Sequence, residues 1–157
     1  MTAYKNMKIY ILRHGERSNG YGDVSLSEEG QRQALELAQN PSLHDVKLVL
    51  CSPKIRTRET IQPLCHRLQL KPEIATDLDQ RKSIETEAEF VRRVLNYLDE
   101  CVQTRTEQSL LLCSHSDWLQ AAIMNLPLPL HKAAAQSFFS CADFRTLLYS
   151  NKQWDLL

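Results

Sequence analysis

The stretch ILRHGERSNG, residues 11–20, runs an apolar segment directly into Arg13-His14-Gly15, then into Glu16-Arg17 and small polar residues. A histidine set between two arginines at the end of a strand works against folding unless an anion is meant to sit among them. Two other places repeat the device. LVLCSP at 48–53 and LLLCSH at 110–115 are each a short apolar run followed by Cys-Ser and a turn. Continuous apolar runs of this length suit strands buried on both faces of a parallel sheet. Ligands of such sheets bind beyond the carboxyl ends of the strands. If the three strands are neighbours, Arg13-His14, Ser52 with Arg56, and Ser114-His115 converge on one spot.

The segments between these runs read as helices, so strand and helix alternate and the fold class is α/β with helices on both faces of the sheet. Ser27 fits a helix N-cap, with Glu28 and Glu29 in the first turn and Ala34, Leu35 and Ala38 on one face before Asn40-Pro41 stops the helix. Pro53 suits the first position of a second helix reaching Leu70. Ile84 to Thr104 has the stripe Phe90, Val91, Val94, Leu95 and Leu98 of a long helix. Ser116 opens a further helix, ended by Pro127. Phe144 to Tyr149 and Gln153 to Leu156 suggest a closing hairpin joined by Ser150-Asn151.

The totals restrict the function. A chain of 157 residues without a linker or repeat predicts one domain, 1–157, with a core of its own. Nineteen basic and nineteen acidic side chains cancel, so no global field favours nucleic acid or a membrane surface. Any anion selectivity must therefore be local. Five cysteines without a C-x-x-C pair argue against a disulfide framework or a zinc ribbon and fit a reducing compartment, with the cytoplasm as the plain expectation. No apolar run reaches membrane-spanning length. Cys51 and Arg56 do not resemble the C-x5-R motif of the cysteine phosphatases, since only four residues separate them.

Two histidines, at least two arginines and two helix starts make a pocket for phosphate: guanidinium forks match its oxygens, and free N–H groups add donors. Neutral imidazole is also a nucleophile, and neighbouring arginines push it towards that form. The second histidine, kept protonated, would stabilise charge on the transferring phosphoryl group.

At this point the residues resemble a known family, the histidine phosphatase or phosphoglycerate mutase-like superfamily. Arg13-His14-Gly15 matches its R-H-G hallmark. DVSLSEEGQRQA at 23–34 is similar to its D-x-P-L-T-x-x-G-x-x-Q-A stretch, SPKIRTRET at 52–60 to S-P-x-x-R-x-x-x-T, and SHSDWL at 114–119 to its late S-H turn. The resemblance implies a three-layer α/β/α sandwich with a mostly parallel central sheet, no metal and no cofactor. It implies His14 as the phosphate-accepting nucleophile, with Arg13, Arg56 and His115 holding the phosphate. Arg17, Ser18 and Asn19 would meet the substrate. The family's leaving-group acid falls in an L-x-E segment, but this chain has Leu78-Asp79-Gln80. Asp79, Glu85 and Asp117 are therefore the acid candidates.

The small bacterial phosphohistidine phosphatases look similarly stripped of that acid, and a protonated imidazole leaves with less help than an alkoxide. The expected activity is hydrolysis of a phosphomonoester or of protein phosphohistidine. Mutase-type phosphotransfer, a phosphate- or phosphoprotein-binding module without turnover, and metal-dependent hydrolysis are the alternatives. The expected partner is the phosphorylated substrate, and the sequence sets no oligomeric state.

Overall fold

The three apolar runs lie side by side in one sheet of a computed structural model that describes residues 5–157. In chain order the elements are β1 (Met7–Arg13), α1 (Glu28–Ala38), β2 (Leu48–Cys51), α2 (Ile55–Leu68), β3 (Glu73–Ile74), α3 (Glu87–Thr104), β4 (Ser109–Ser114), α4 (Ser116–Asn125), α5 (Leu130–Gln136), β5 (Phe144–Ser150) and β6 (Gln153–Leu156). The sheet order is β3-β2-β4-β1-β5-β6. The first four strands of that order are mutually parallel, while β5 runs antiparallel to β1 and to β6.

Every residue of β2 and β4 is buried, as continuous apolar runs require when both faces of a sheet are covered. One face packs Leu37 and Ala38 of α1 and Ile61, Leu64 and Cys65 of α2 against Leu12, Val49 and Leu111. The other packs Phe90, Val94 and Leu98 of α3, Trp118, Leu119 and Ile123 of α4, and Ala133 of α5 against Ile9, Ile11, Leu50 and Leu112. These are the three expected layers. Among the described residues no helix is long and apolar enough to cross a membrane.

Several boundaries differ from the sequence reading, each for a local reason. Pro53 precedes α2, because Lys54 keeps an extended backbone as its N-cap. The helix read from Ile84 starts at Glu87: Thr86 and Glu89 form a capping box, and Ile84 stays on the exposed loop before it. The closing hairpin turns on Asn151-Lys152, both at positive φ, one residue later than expected. The two-residue edge strand β3 and the seven-residue α5 are additional elements.

The register fixes the working end of the sheet. Arg13 lies opposite Ser114, and Cys51 opposite Cys113, so the residues after β1, β2 and β4 emerge together. The turn after β1 is drawn against α1 by one close approach. A Cβ on Gly30 would come 2.1 Å from the carbonyl oxygen of Glu16, which already accepts a hydrogen bond from the backbone N–H of Ser27 at 2.9 Å. Only glycine fits there.

Candidate active site

His14 and His115 stand with ring centroids 5.2 Å apart and rings inclined at 64°, and both are almost wholly buried. Arg56, one residue into α2, lies between them and is equally buried. Its Nε donates to His14 Nε2 at 3.2 Å, and its Nη2 donates to His115 Nδ1 at 3.2 Å and to Gln80 Oε1 at 2.7 Å. Guanidinium has no acceptor, so both imidazole nitrogens that face it carry lone pairs. The protons sit on the outer nitrogens. His14 Nδ1–H donates to the carbonyl of Gly15 at 2.6 Å, and His115 Nε2–H donates to Ser52 Oγ at 2.8 Å. Each ring is thereby fixed in tautomer and orientation.

Burial lowers the pKa of His14 to about 4, reinforced by the charges of Arg56, Arg13 and Arg17 and opposed by the Gly15 hydrogen bond. Burial likewise lowers His115 to about 2, with Arg56, His14, Lys54 and Arg13 adding to the effect. Without a bound anion both rings are therefore neutral. Burial also lowers the pKa of Arg56, which nevertheless stays a cation at any working pH. The cluster is a set of donors and two neutral imidazoles, electrostatically suited to a dianion.

The remaining sequence candidates are placed unequally. Arg13 spends Nη1 on the carbonyl of Phe139 at 2.7 Å, and its Nε is buried without a partner among the described residues. Asp79 is the acid candidate beside the histidines: Oδ1 lies 3.6 Å from His115 Nε2, and Oδ2 lies 3.6 Å from Lys54 Nζ. Glu85 does not face the cluster. Its carboxylate is paired with Arg93 Nε at 2.7 Å and Nη2 at 2.8 Å, which holds its pKa down at about 2. Asp117 is also engaged, accepting the N–H of Trp118 at 2.8 Å and of Arg81 at 2.9 Å. The oxygens of Glu85 and Asp117 are committed to fixing loops and a helix start, as Asp79 Oδ1 is to the N–H of Gln80 at 2.9 Å.

Arg17 is exposed, donates to the carbonyl of Gly20 at 2.7 Å, and is near enough for its charge to act on His14 and Arg56. Ser18 turns its hydroxyl back to the carbonyl of Ser25 at 3.0 Å, so it closes its own loop, while Asn19 lies exposed on that loop.

Four participants were not singled out for these contacts. Gln80 holds Arg56, and Ser52 holds His115. Thr60 Oγ1 accepts the N–H of Gly15 at 2.9 Å. Asp23 Oδ1 accepts the N–H of Ile55 at 2.9 Å, capping α2, and lies 3.7 Å from Arg56 Nη1. Ser52, Asp23 and Thr60 all fall within the matched motifs, which was the available signal. A groove of about 640 Å³ between α2 and β3 is lined by Arg58, Gln62, His66 and Ile74 and contains neither His14 nor His115.

The family model of the histidine phosphatase superfamily (branch 1) matches residues 9–83, a span that takes in Arg13, His14, Ser52, Arg56 and the Asp79-Gln80 loop. Over that span the chain is similar to the histidine phosphatase superfamily. No curated protein matches it by sequence. Solved phosphatase structures superpose over nearly the whole chain. A mycobacterial glucosyl-3-phosphoglycerate phosphatase is 19% identical with a TM-score of 0.75, covering 96% of this chain and 97% of its own. A phosphoserine phosphatase variant from Entamoeba histolytica, in complex with phosphoserine, is 16% identical with a TM-score of 0.76, covering 96% and 94%. An Escherichia coli protein described as a putative alpha-ribazole-5'-P phosphatase is 19% identical with a TM-score of 0.75, covering 96% and 94%. At these identities the likeness establishes the fold.

Proposed function

We propose that this protein hydrolyses phosphomonoesters or protein phosphohistidine, without a metal, through a covalent phosphohistidine on His14. The observation that carries the reading is the disposition of that ring: Nδ1–H is held by the Gly15 carbonyl, and the Nε2 lone pair faces Arg56 beside His115.

A phosphoryl group entering here receives the N–H donors that Arg56 otherwise gives to the two imidazoles. His14 Nε2 is then free to attack phosphorus, forming the N–P bond as the bond to the leaving group breaks. The dianion offsets the field of Arg56, Arg13 and Lys54, so His115 gains basicity and donates from a protonated ring to a phosphoryl oxygen. Asp79, beside His115, enters the cycle as the carboxylic acid and gives its proton to the leaving oxygen or nitrogen. Water then attacks phosphorus and returns a proton to the Asp79 carboxylate as the N–P bond breaks, restoring neutral His14 and releasing inorganic phosphate. A cation has no natural place in this arrangement, because Arg56 already points a positive charge at both inner nitrogens.

Gln80 bears on the substrate. A carboxamide that holds Arg56 delivers no proton, so the site favours leaving groups that need little protonation, such as a protonated imidazole or an activated phenolate. The relatives named above, phosphatases of phosphorylated small molecules by their descriptions, support small phosphomonoesters as the other class. A panel of phosphohistidine protein, aryl phosphate and small alkyl phosphates at matched enzyme concentration tests the reading. Hydrolysis that follows leaving-group ability supports it. Vanadate or phosphate binding with no turnover of any member would favour a non-catalytic binding module, and turnover dependent on bisphosphorylated activator would favour a mutase.

A further inference from the structure

We propose that Arg93, on α3 and outside the histidine cluster, is a positioning residue that holds the Asp77–Gln80 segment so that Asp79 faces His115 and Gln80 faces Arg56. The proposal rests on the phosphatase reading for its catalytic consequence.

Arg93 commits a full guanidinium to one short loop. Nη1 donates to the carbonyls of Asp77 at 2.8 Å and Asp79 at 3.0 Å. Nη2 donates to the carbonyl of Gln80 at 3.2 Å and to Glu85 at 2.8 Å, and Nε donates to the other oxygen of Glu85 at 2.7 Å. These contacts use all five N–H donors an arginine has. Its flat face rests 5.1 Å from the Phe90 ring, one turn earlier on α3.

The rest of the loop is tied from other elements. Ser114 Oγ donates to the carbonyl of Leu78 at 2.6 Å, and the indole N–H of Trp118 donates to that of Asp77 at 2.7 Å. Every carbonyl from Asp77 to Gln80 therefore has a side-chain donor, from α3, β4 or α4. With the backbone pinned on that side, the side chains of Asp79 and Gln80 are left to project into the cluster. Glu85, unsuited to proton transfer, gains a role as the counter-ion that orients Arg93. Lysine cannot replace this arginine: a point charge with three donors does not satisfy a planar array of five acceptors.

A purely structural clamp and a positioning clamp differ in coupling. The test is a double-mutant cycle between Arg93→Lys and the pair Asp79→Asn with Gln80→Ala, read both as the dissociation constant for vanadate and as kcat/KM for a small alkyl phosphate. Arg93→Lys alone should lower kcat/KM about 10- to 100-fold, the effect of a small misplacement near the reacting atoms, with most of the loss in kcat. In the Asp79→Asn, Gln80→Ala background the same change should cost less than about threefold, because its targets are gone. Losses that multiply across the cycle, or a folded Arg93→Lys protein with native vanadate affinity and turnover, would overturn the proposal. Should Arg93→Lys not fold, Glu85→Gln releases the guanidinium more gently, and the same non-additivity is expected. A native protein that binds vanadate but hydrolyses nothing would remove the phosphatase reading, and the vanadate cycle alone would still decide on Arg93. Failure to bind vanadate at all would remove both.

Discussion

Acidification from pH 7 to pH 5 should destabilise the ligand-free protein through the two active-site histidines, and by a calculable amount. In the unfolded chain each imidazole titrates near pH 6.5, whereas burial and the arginines lower the folded pKa of His14 to about 4 and of His115 to about 2. The unfolded state therefore binds protons that the native state refuses. The stability associated with neutral histidines is complete above about pH 6.5 and falls as the pH drops towards the folded values. Integrating between pH 7 and pH 5 gives about 1.8 kcal/mol for each histidine and roughly 3.5 kcal/mol for the pair. That is a large part of the ~5–15 kcal/mol typical of a domain.

Urea unfolding at pH 7, 6 and 5, extrapolated linearly to water, measures this directly. The window is chosen to lie above the range of Glu85, held at about 2 by its pairing with Arg93. Replacing His14 with Ala should remove about half of the slope whatever it does to absolute stability. Saturating phosphate should flatten it further, because the anion favours the protonated rings. A native slope that survives in both single variants, His14→Ala and His115→Ala, would show that the buried, neutral pair is wrongly described.

Two substitutions probe other parts of the account. Gly30→Ala should cost on the order of 3 kcal/mol in urea unfolding and lower activity with it, since the new Cβ meets a backbone carbonyl rather than a movable side chain. Asp79→Asn should slow alkyl phosphates by about 10²-fold or more while sparing a phosphohistidine or activated aryl substrate, whose leaving groups need less protonation; equal losses across both classes in steady-state assays would show that Asp79 does not supply the proton.

The layered fold was legible because Ile9 to Leu12 of β1, with β2 and β4, is buried on both faces and so had to be written in short, mostly apolar runs. Elements without such a demand were not. The edge strand β3 has two exposed residues, and α5 buries only Ala133, so neither leaves a pattern in the sequence. Ile84 misled the reading of α3 because an exposed isoleucine in a loop has the same letter as one on a buried stripe.

In the site, His14, Arg56 and His115 were legible because their strand ends and helix starts could be placed by pattern. Arg93 and Gln80 were not, since their partners are reached through loop carbonyls and the far side of the sheet. The engagement of Glu85 and Asp117 was hidden for a related reason. Spacing shows that a carboxylate is near a site, but not that its oxygens are already taken.

The central claim is the covalent intermediate, and trapping it is the most direct measurement. The native protein mixed with a phosphate-labelled aryl phosphate and quenched in base, which preserves phosphoramidates, should carry label on His14 alone, and His14→Ala should carry none and turn nothing over. Label on another residue, or hydrolysis that persists in His14→Ala, would contradict the account.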